Sequence, residues 1–196
     1  MTDKYIKKIL EANVYEVAEE SPLEIAPKLS ERIGRSLLLK REDTQAVFSF
    51  KLRGAFNKIQ TLAPEVRRRG VITASAGNHA QGVALAAQHL KVPATIVMGR
   101  NTPSIKIEAV RRLGAKVLLE GDSYDEAAAI AQKLCGEQDL TYVHPFDDPD
   151  VIAGQGTIAM EILRQHTGPL HAVFVPVGGG GLISGVGTYI KYLRPD

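Results

Sequence analysis

One cysteine, Cys135, stands in a chain of 196 residues. A lone thiol excludes an internal disulfide framework and any cysteine-rich metal site, and it suits a buried structural thiol in a reducing compartment. Charge of one sign is lacking too. The 24 basic and 22 acidic residues leave a formal net charge of +2, so no basic stripe points to nucleic acid or an anionic membrane. The densest basic run, Arg67, Arg68 and Arg69, precedes Gly70, where a helix is expected to end and where cations complement the helix dipole. No apolar run reaches the length of a membrane span, and the opening stretch from Met1 to Glu20 is charged and helix-like with no apolar signal core. A cytoplasmic protein is the expectation. His79, His89, His144, His166 and His171 are scattered and lack a ligand spacing such as His-Glu-x-x-His, so no metal site is expected. Internal repeats, low-complexity segments and loose linkers are absent as well.

What is present reads as a globular protein, with 44% hydrophobic and 23% charged residues. From Val71 onward, short Val/Ile/Ala-rich runs alternate with longer amphipathic stretches, the pattern of an α/β protein with a mostly parallel sheet. Strands are expected at Ser36 to Lys40, Val71 to Ser75, Ala94 to Met98, Lys116 to Glu120, Thr141 to His144 and Ala172 to Val177. Helices are expected to begin near Ser49, Asn78, Pro103, Ser123, Pro149 and Gly181, at capping residues or first-turn prolines. Gly70, Gly114 and Gly136 fit helix exits.

Three constellations sit where a strand or loop hands over to a helix, the position at which open α/β sheets bind ligands. In Gly178, Gly179, Gly180 and Gly181, side chains are missing altogether, so backbone N–H groups can close on an anion at the amino terminus of the following helix. A flexible turn is the plainer alternative, at a high cost in backbone entropy. The glycine spacing matches neither the dinucleotide fingerprint nor a P-loop, which counts against hydride transfer and nucleotide hydrolysis. The second constellation is Ser75, Ala76, Gly77, Asn78 and His79, a small-residue turn at a helix amino terminus suited to an α-carboxylate; on the ordinary reading Asn78 is a helix cap and His79 a surface or core histidine. The third is Ser49, Phe50 and Lys51. If Ser49 caps a helix, Lys51 lies in its first turn among apolar neighbours, where desolvation and the helix dipole both favour a neutral, nucleophilic amine, although most lysines are simply solvated.

Together, Ser49-Phe50-Lys51-Leu52-Arg53-Gly54-Ala55, Ser75-Ala76-Gly77-Asn78-His79-Ala80-Gln81-Gly82 and Gly178-Gly179-Gly180-Gly181-Leu182 resemble the threonine dehydratase family, pyridoxal-phosphate enzymes of fold type II. Lys40-Arg41-Glu42-Asp43 and Val151-Ile152-Ala153-Gly154-Gln155-Gly156-Thr157 extend the likeness over nearly the whole chain. The resemblance implies two open, mostly parallel sheets wrapped by helices, as in tryptophan synthase β. It also implies a large lobe of residues 1–70 and 145–196 and a small lobe of residues 71–144. It makes pyridoxal 5'-phosphate the cofactor, Lys51 its Schiff-base lysine and later a general base, Phe50 the residue beside the ring, Asn78 the partner of the ring hydroxyl, and Gly178 to Leu182 the phosphate loop. Ser75, Ala76, Gly77, Asn78 and His79 would hold the substrate carboxylate.

Within that superfamily, serine racemases place a serine where this chain has Ala76, so elimination is favoured over racemisation. Gln45-Ala46-Val47-Phe48 before Ser49 is similar to the biosynthetic branch, whose members convert threonine, and serine, to 2-oxo acids and ammonia on the way to isoleucine. Family members are usually dimers or tetramers. The family's catalytic region continues past the helix that follows the glycine loop, so the chain is expected to be truncated, without the remaining catalytic region and the regulatory domain. A serine racemase or another hydroxy amino acid dehydratase is the rival within enzymes, and an inactive anion-binding fragment the rival outside them.

Overall fold

The computed structural model describes residues 2–195. In chain order the elements are α1 (Thr2–Glu11), β1 (Leu23–Ile25), α2 (Pro27–Ile33), β2 (Leu38–Lys40), α3 (Lys51–Gln60), α4 (Pro64–Arg69), β3 (Val71–Ala74), α5 (Asn78–Leu90), β4 (Ala94–Met98), α6 (Ser104–Arg112), β5 (Lys116–Leu119), α7 (Tyr124–Glu137), β6 (Thr141–Tyr142), α8 (Pro149–Gln165) and α9 (Gly181–Leu193).

The short apolar runs become a four-stranded sheet in the order β5-β4-β3-β6, with every pairing parallel. Parallel strands need crossovers, and the amphipathic stretches between the runs supply them as α5, α6 and α7. β3, the central strand, is buried at all four positions, as a strand covered on both faces must be. One face packs on α3 and α5 through Ala55, Phe56, Ile59, Val83, Ala87 and Ile96. The other face, through Ile72, Ala74 and Val97, meets Ala127 and Ala131 of α7. A second layer joins α8 to α9 through Ile158, Ala159, Ile162 and Val186.

Several expectations need correction. The strand expected at Ser36 to Lys40 is confined to β2, which pairs antiparallel with β1, a strand not anticipated, and stands apart from the parallel sheet. Ala172 to Val177 forms no ladder among the described residues. Val173 and Val175 pack against the α8–α9 cluster, but Phe174 and Val177 are 89% and 66% exposed, with nothing among the described residues packed over them. The helix at the start of the chain stops at Glu11; Met1 lies outside the described residues. Gly136 is inside α7, which runs on to Glu137, and the left-handed residue beyond it is Asp139, at φ 51°.

α3 reaches its position through close backbone approaches. A Cβ on Gly82 of α5 would lie 3.0 Å from the Lys51 carbonyl carbon, and one on Gly154 of α8 would lie 2.6 Å from the Arg53 carbonyl oxygen. A side chain at Gly154 would force a shift, and one at Gly82 would need its neighbours to give by a few tenths of an ångström, so the two glycines let the first turn of α3 sit closely between α5 and α8. That turn is also held by charge. Arg53, fully buried, donates to Glu42 at 2.8 Å, to Glu161 at 2.5 Å and to the Glu19 carbonyl at 3.0 Å. Lys40 adds a second cation, 2.6 Å from Glu161. Burial opposes ionisation of Arg53 and Glu161, but the partners more than reverse it, raising the guanidinium pKa and lowering that of the carboxyl.

Candidate active site

Lys51 is the first residue of α3. Phe48, in the left-handed region at φ 54°, redirects the chain just upstream, its N–H donating to Gln45 O at 2.7 Å. Ser49 Oγ then accepts from Lys51 N at 3.3 Å, a cap displaced by one residue from the helix start. The Lys51 side chain is half-buried. Its Nζ donates to the carbonyl oxygen of Pro145 at 2.6 Å and lies 5.5 Å from the centre of the Phe50 ring. Burial, with no carboxylate beside it, pushes the amine below the ordinary lysine value. Phe50 in turn packs into the α8–α9 cluster together with Leu182.

The Ser75–His79 turn leaves the carboxyl end of β3. Ser75 N donates to Val97 O at 3.1 Å, continuing the β3–β4 ladder, and Ser75 Oγ accepts from Gly77 N at 3.2 Å. Ser75, Ala76 and Gly77 are partly exposed and Asn78 is exposed. Gly77 precedes α5 and no side chain caps that helix, so Asn78 is not the cap and its amide faces solvent. The His79 ring turns inward. Its Nε2 donates to Val143 O at 3.0 Å, which fixes the proton on Nε2 and leaves Nδ1 as a buried acceptor without a partner among the described residues. Burial pushes its pKa down to about 4, so the ring is neutral near pH 7.

Gly178 and Gly179 are exposed, Gly180 adopts φ 92° and caps α9, and Gly181 is the buried first residue of that helix. Gly180 takes a backbone region closed to most side chains. A Cβ on Gly179 would run into the Phe146 ring, and one on Gly181 would lie 2.7 Å from the Phe146 carbonyl oxygen.

Lys51 and Phe50 therefore come together directly, and Phe50 shares a cluster with Leu182. No hydrogen bond among the described residues joins the glycine turn to Lys51 or to the Ser75–His79 turn. The connection runs through Val143, His144, Pro145 and Phe146, just beyond β6. Val143 O accepts from His79 and, at 2.8 Å, from Thr73 Oγ1; Pro145 O accepts from Lys51; Phe146 backs the glycine turn. His144 Nδ1 accepts from Phe146 N at 3.3 Å and from Asp147 N at 2.7 Å. Its ring meets Phe146 edge-on, with centroids 4.6 Å apart and planes at 83°, and burial lowers its pKa. The sequence reading gave this stretch no role. Its one signal was a His-Pro pair at the carboxyl edge of a parallel strand. Among the described residues, no group of three or more His, Cys, Asp or Glu side chains is gathered to hold a metal, and no helix is long and apolar enough to cross a membrane.

The arrangement offers a desolvated amine, a helix amino terminus bare of side chains and a small-residue turn, all at one end of the parallel sheet. Comparison with known proteins agrees with that chemistry. The profile of the family described as pyridoxal-phosphate dependent enzyme matches residues 14–196. The chain is 58% identical over 195 residues to the biosynthetic L-threonine dehydratase of Burkholderia multivorans, covering 98% of this chain and 38% of that one. The solved structure of the processed form of threonine deaminase isoform 2 from Solanum lycopersicum superposes with a TM-score of 0.96 at 57% identity, over 99% of this chain and 53% of that one. Maize serine racemase superposes with a TM-score of 0.93 at 35% identity, over 97% and 58%. The chain spans a little over a third of the length of the Burkholderia multivorans relative.

Proposed function

The chain belongs to the pyridoxal-phosphate dependent enzyme family, and on that premise we propose that the protein carrying it dehydrates and deaminates L-threonine, and L-serine, to a 2-oxo acid and ammonia. The observation that carries this reading is the Lys51 amine, half-buried, shifted toward its neutral form by burial and held to Pro145 O at 2.6 Å at the first turn of a helix.

The residues present fit pyridoxal 5'-phosphate. An amine whose pKa burial lowers suits an aldehyde, a side-chain-free turn with one left-handed glycine at a helix amino terminus suits a phosphate, and the solvent-facing Asn78 amide suits a ring hydroxyl. Lys51, Phe50, Asn78 and Gly178 to Leu182 are the proposed holders. Bound there, the cofactor would supply an electron sink for a carbanion at the substrate α-carbon.

The chain's own residues do the rest. When deprotonated, the Lys51 amine has a lone pair and two N–H groups, and donation of one N–H to Pro145 O limits the directions open to the lone pair that would remove the α-proton. The Ser75 hydroxyl and the backbone N–H groups of Asn78 and His79, in the uncapped first turn of α5, would hold the substrate carboxylate. Loss of the α-proton and of the β-hydroxyl, which together make up one water, leaves an enamine, and its hydrolysis takes up one water to give the 2-oxo acid and ammonia. Ala76 presents only a methyl group, so that position supplies no hydroxyl to return a proton, which supports elimination over racemisation.

The division into a large lobe of residues 1–70 and 145–196 and a small lobe of residues 71–144 belongs to the same proposal, supported by confinement of the parallel sheet to residues 71–142. So do a cytoplasmic setting, which suits the lone Cys135 thiol, and assembly of the full protein into homo-oligomers.

The test is a product assay on the full-length protein. Incubation with L-threonine is expected to yield 2-oxobutanoate, and with L-serine pyruvate and little D-serine, all abolished by Lys51→Ala. A dominant D-serine product, or unchanged 2-oxobutanoate from Lys51→Ala, would overturn the reading.

A further inference from the structure

Phe146 takes no part in the chemistry above, yet it backs the glycine turn at two of its four positions. A Cβ on Gly179 would collide with its ring, and Gly181 sits against its main chain. The residue before it, Pro145, receives the Lys51 amine. The residue before that, His144, accepts from the Phe146 and Asp147 N–H groups and presses edge-on against the Phe146 ring. A three-residue stretch with one proline-fixed φ therefore spans from the lysine to the glycine turn, and its first member, His144, holds the third, Phe146.

We propose that Phe146 is a positioning residue that backs the Gly178–Gly181 turn and sets its separation from the Lys51 amine, so that a rigid aldehyde carrying a phosphate fits both ends at once. This rests on the reading of the turn as the phosphate site. The physical argument is one of support. Glycines bring no rotamer or packing of their own to a turn, and Gly180 at φ 92° sits in a region that glycine enters and leaves freely. Backbone N–H groups hold an anion tightly only when they are fixed before it arrives. The Phe146 ring supplies that fixation from the side where Gly179 lacks a Cβ. The His144 imidazole holds the ring in turn, through the Phe146 N–H and the edge contact.

Two ligands separate this role from general stability. Pyridoxal 5'-phosphate needs both the amine and the turn, whereas pyridoxal, the same aldehyde without phosphate, needs the amine alone. In the full-length protein, equilibrium binding of each, followed by the absorbance of the lysine adduct, is expected to show that Phe146→Ala weakens the phosphorylated ligand by about 10- to 100-fold, the loss typical when a group that orients a ligand-binding shell is removed. Affinity for pyridoxal stays as in the wild type, which also reports that the variant is folded. Phe146→Tyr, which keeps the ring, restores the preference for the phosphorylated ligand. Parallel loss of both ligands in Phe146→Ala and in the milder Phe146→Leu, or an undiminished preference in both, would overturn the proposal. A wild-type protein that takes up neither ligand would instead sink the functional reading beneath it.

Discussion

Lys51 Nζ and the carbonyl oxygen of Pro145 lie 2.6 Å apart, across 94 positions of sequence. That bond ties the first turn of α3 to the loop leaving β6, and it holds a desolvated amine that no carboxylate neutralises. The arrangement gives up stability for reactivity, since one hydrogen bond to a neutral oxygen returns little of the hydration a lysine loses on burial.

From this it follows that Lys51→Met leaves the fold intact. An apolar side chain of similar length fits beside Phe50 and Pro145 without the desolvation penalty, so the unfolding free energy in urea is expected to be unchanged or up to about 1 kcal/mol higher, while cofactor uptake disappears. A loss of several kcal/mol would mean that the amine is a structural group.

His79 makes stability depend on pH. The unfolded chain takes up a proton near pH 6.5, and the folded chain excludes it until about pH 4, chiefly through burial, with Lys51 and His144 pushing the same way and Val143 O opposing. Its contribution is complete above pH 6.5 and drains away as pH falls toward 4, by about 3 kcal/mol in total. His79→Gln keeps a donor for Val143 O and does not titrate, so its urea midpoint is expected to fall less than that of the wild type between pH 7 and pH 5. Equal slopes would show that the ring titrates normally.

Arg53 and Glu161 form the heart of a buried, charge-balanced group with Glu42 and Lys40. Arg53→Met leaves two carboxylates facing one lysine and is expected to cost about 3 to 5 kcal/mol in urea unfolding. Adding Glu42→Gln leaves Lys40 with Glu161 and is expected to recover part of that loss. A double variant less stable than Arg53→Met would refute the balance argument.

Gly154→Ala tests whether the lysine-bearing turn is set by helix packing. The new methyl would sit 2.6 Å from Arg53 O and 2.7 Å from Gly54 Cα, contacts that only a shift of α3 away from α8 can relieve. A destabilisation of about 1 to 3 kcal/mol is expected, together with weaker cofactor uptake because Lys51 moves with the helix. Unaltered stability and uptake would place the rigidity elsewhere.

How much of this was legible in the sequence depended on whether a feature was local. β3, β4 and β5 announced themselves as apolar runs, and α5, α8 and α9 began where Asn78, Pro149 and Gly181 marked them. Ala172 to Val177 reads the same way but forms no ladder, because pairing needs a neighbour that composition does not reveal. β1, three residues with Glu24 at its centre, is too short to carry a pattern. In the site, the place of Lys51 and of the glycine turn at helix amino termini was legible locally, whereas the role expected of Lys51 came from the family resemblance, since most lysines in such a setting are simply solvated. Pro145 and Phe146 could not be read, since they act through a carbonyl oxygen and a ring face presented to distant residues. The inward turn of the His79 ring was open on sequence grounds, and Val143 O decided it.

The most direct measurement is chemical trapping. Full-length protein is incubated with pyridoxal 5'-phosphate, reduced with borohydride and digested, and the peptides are mapped by mass. A single reduced adduct on Lys51 is expected, missing from Lys51→Ala. An adduct on another lysine in the native protein, or none at saturating cofactor, would contradict the account.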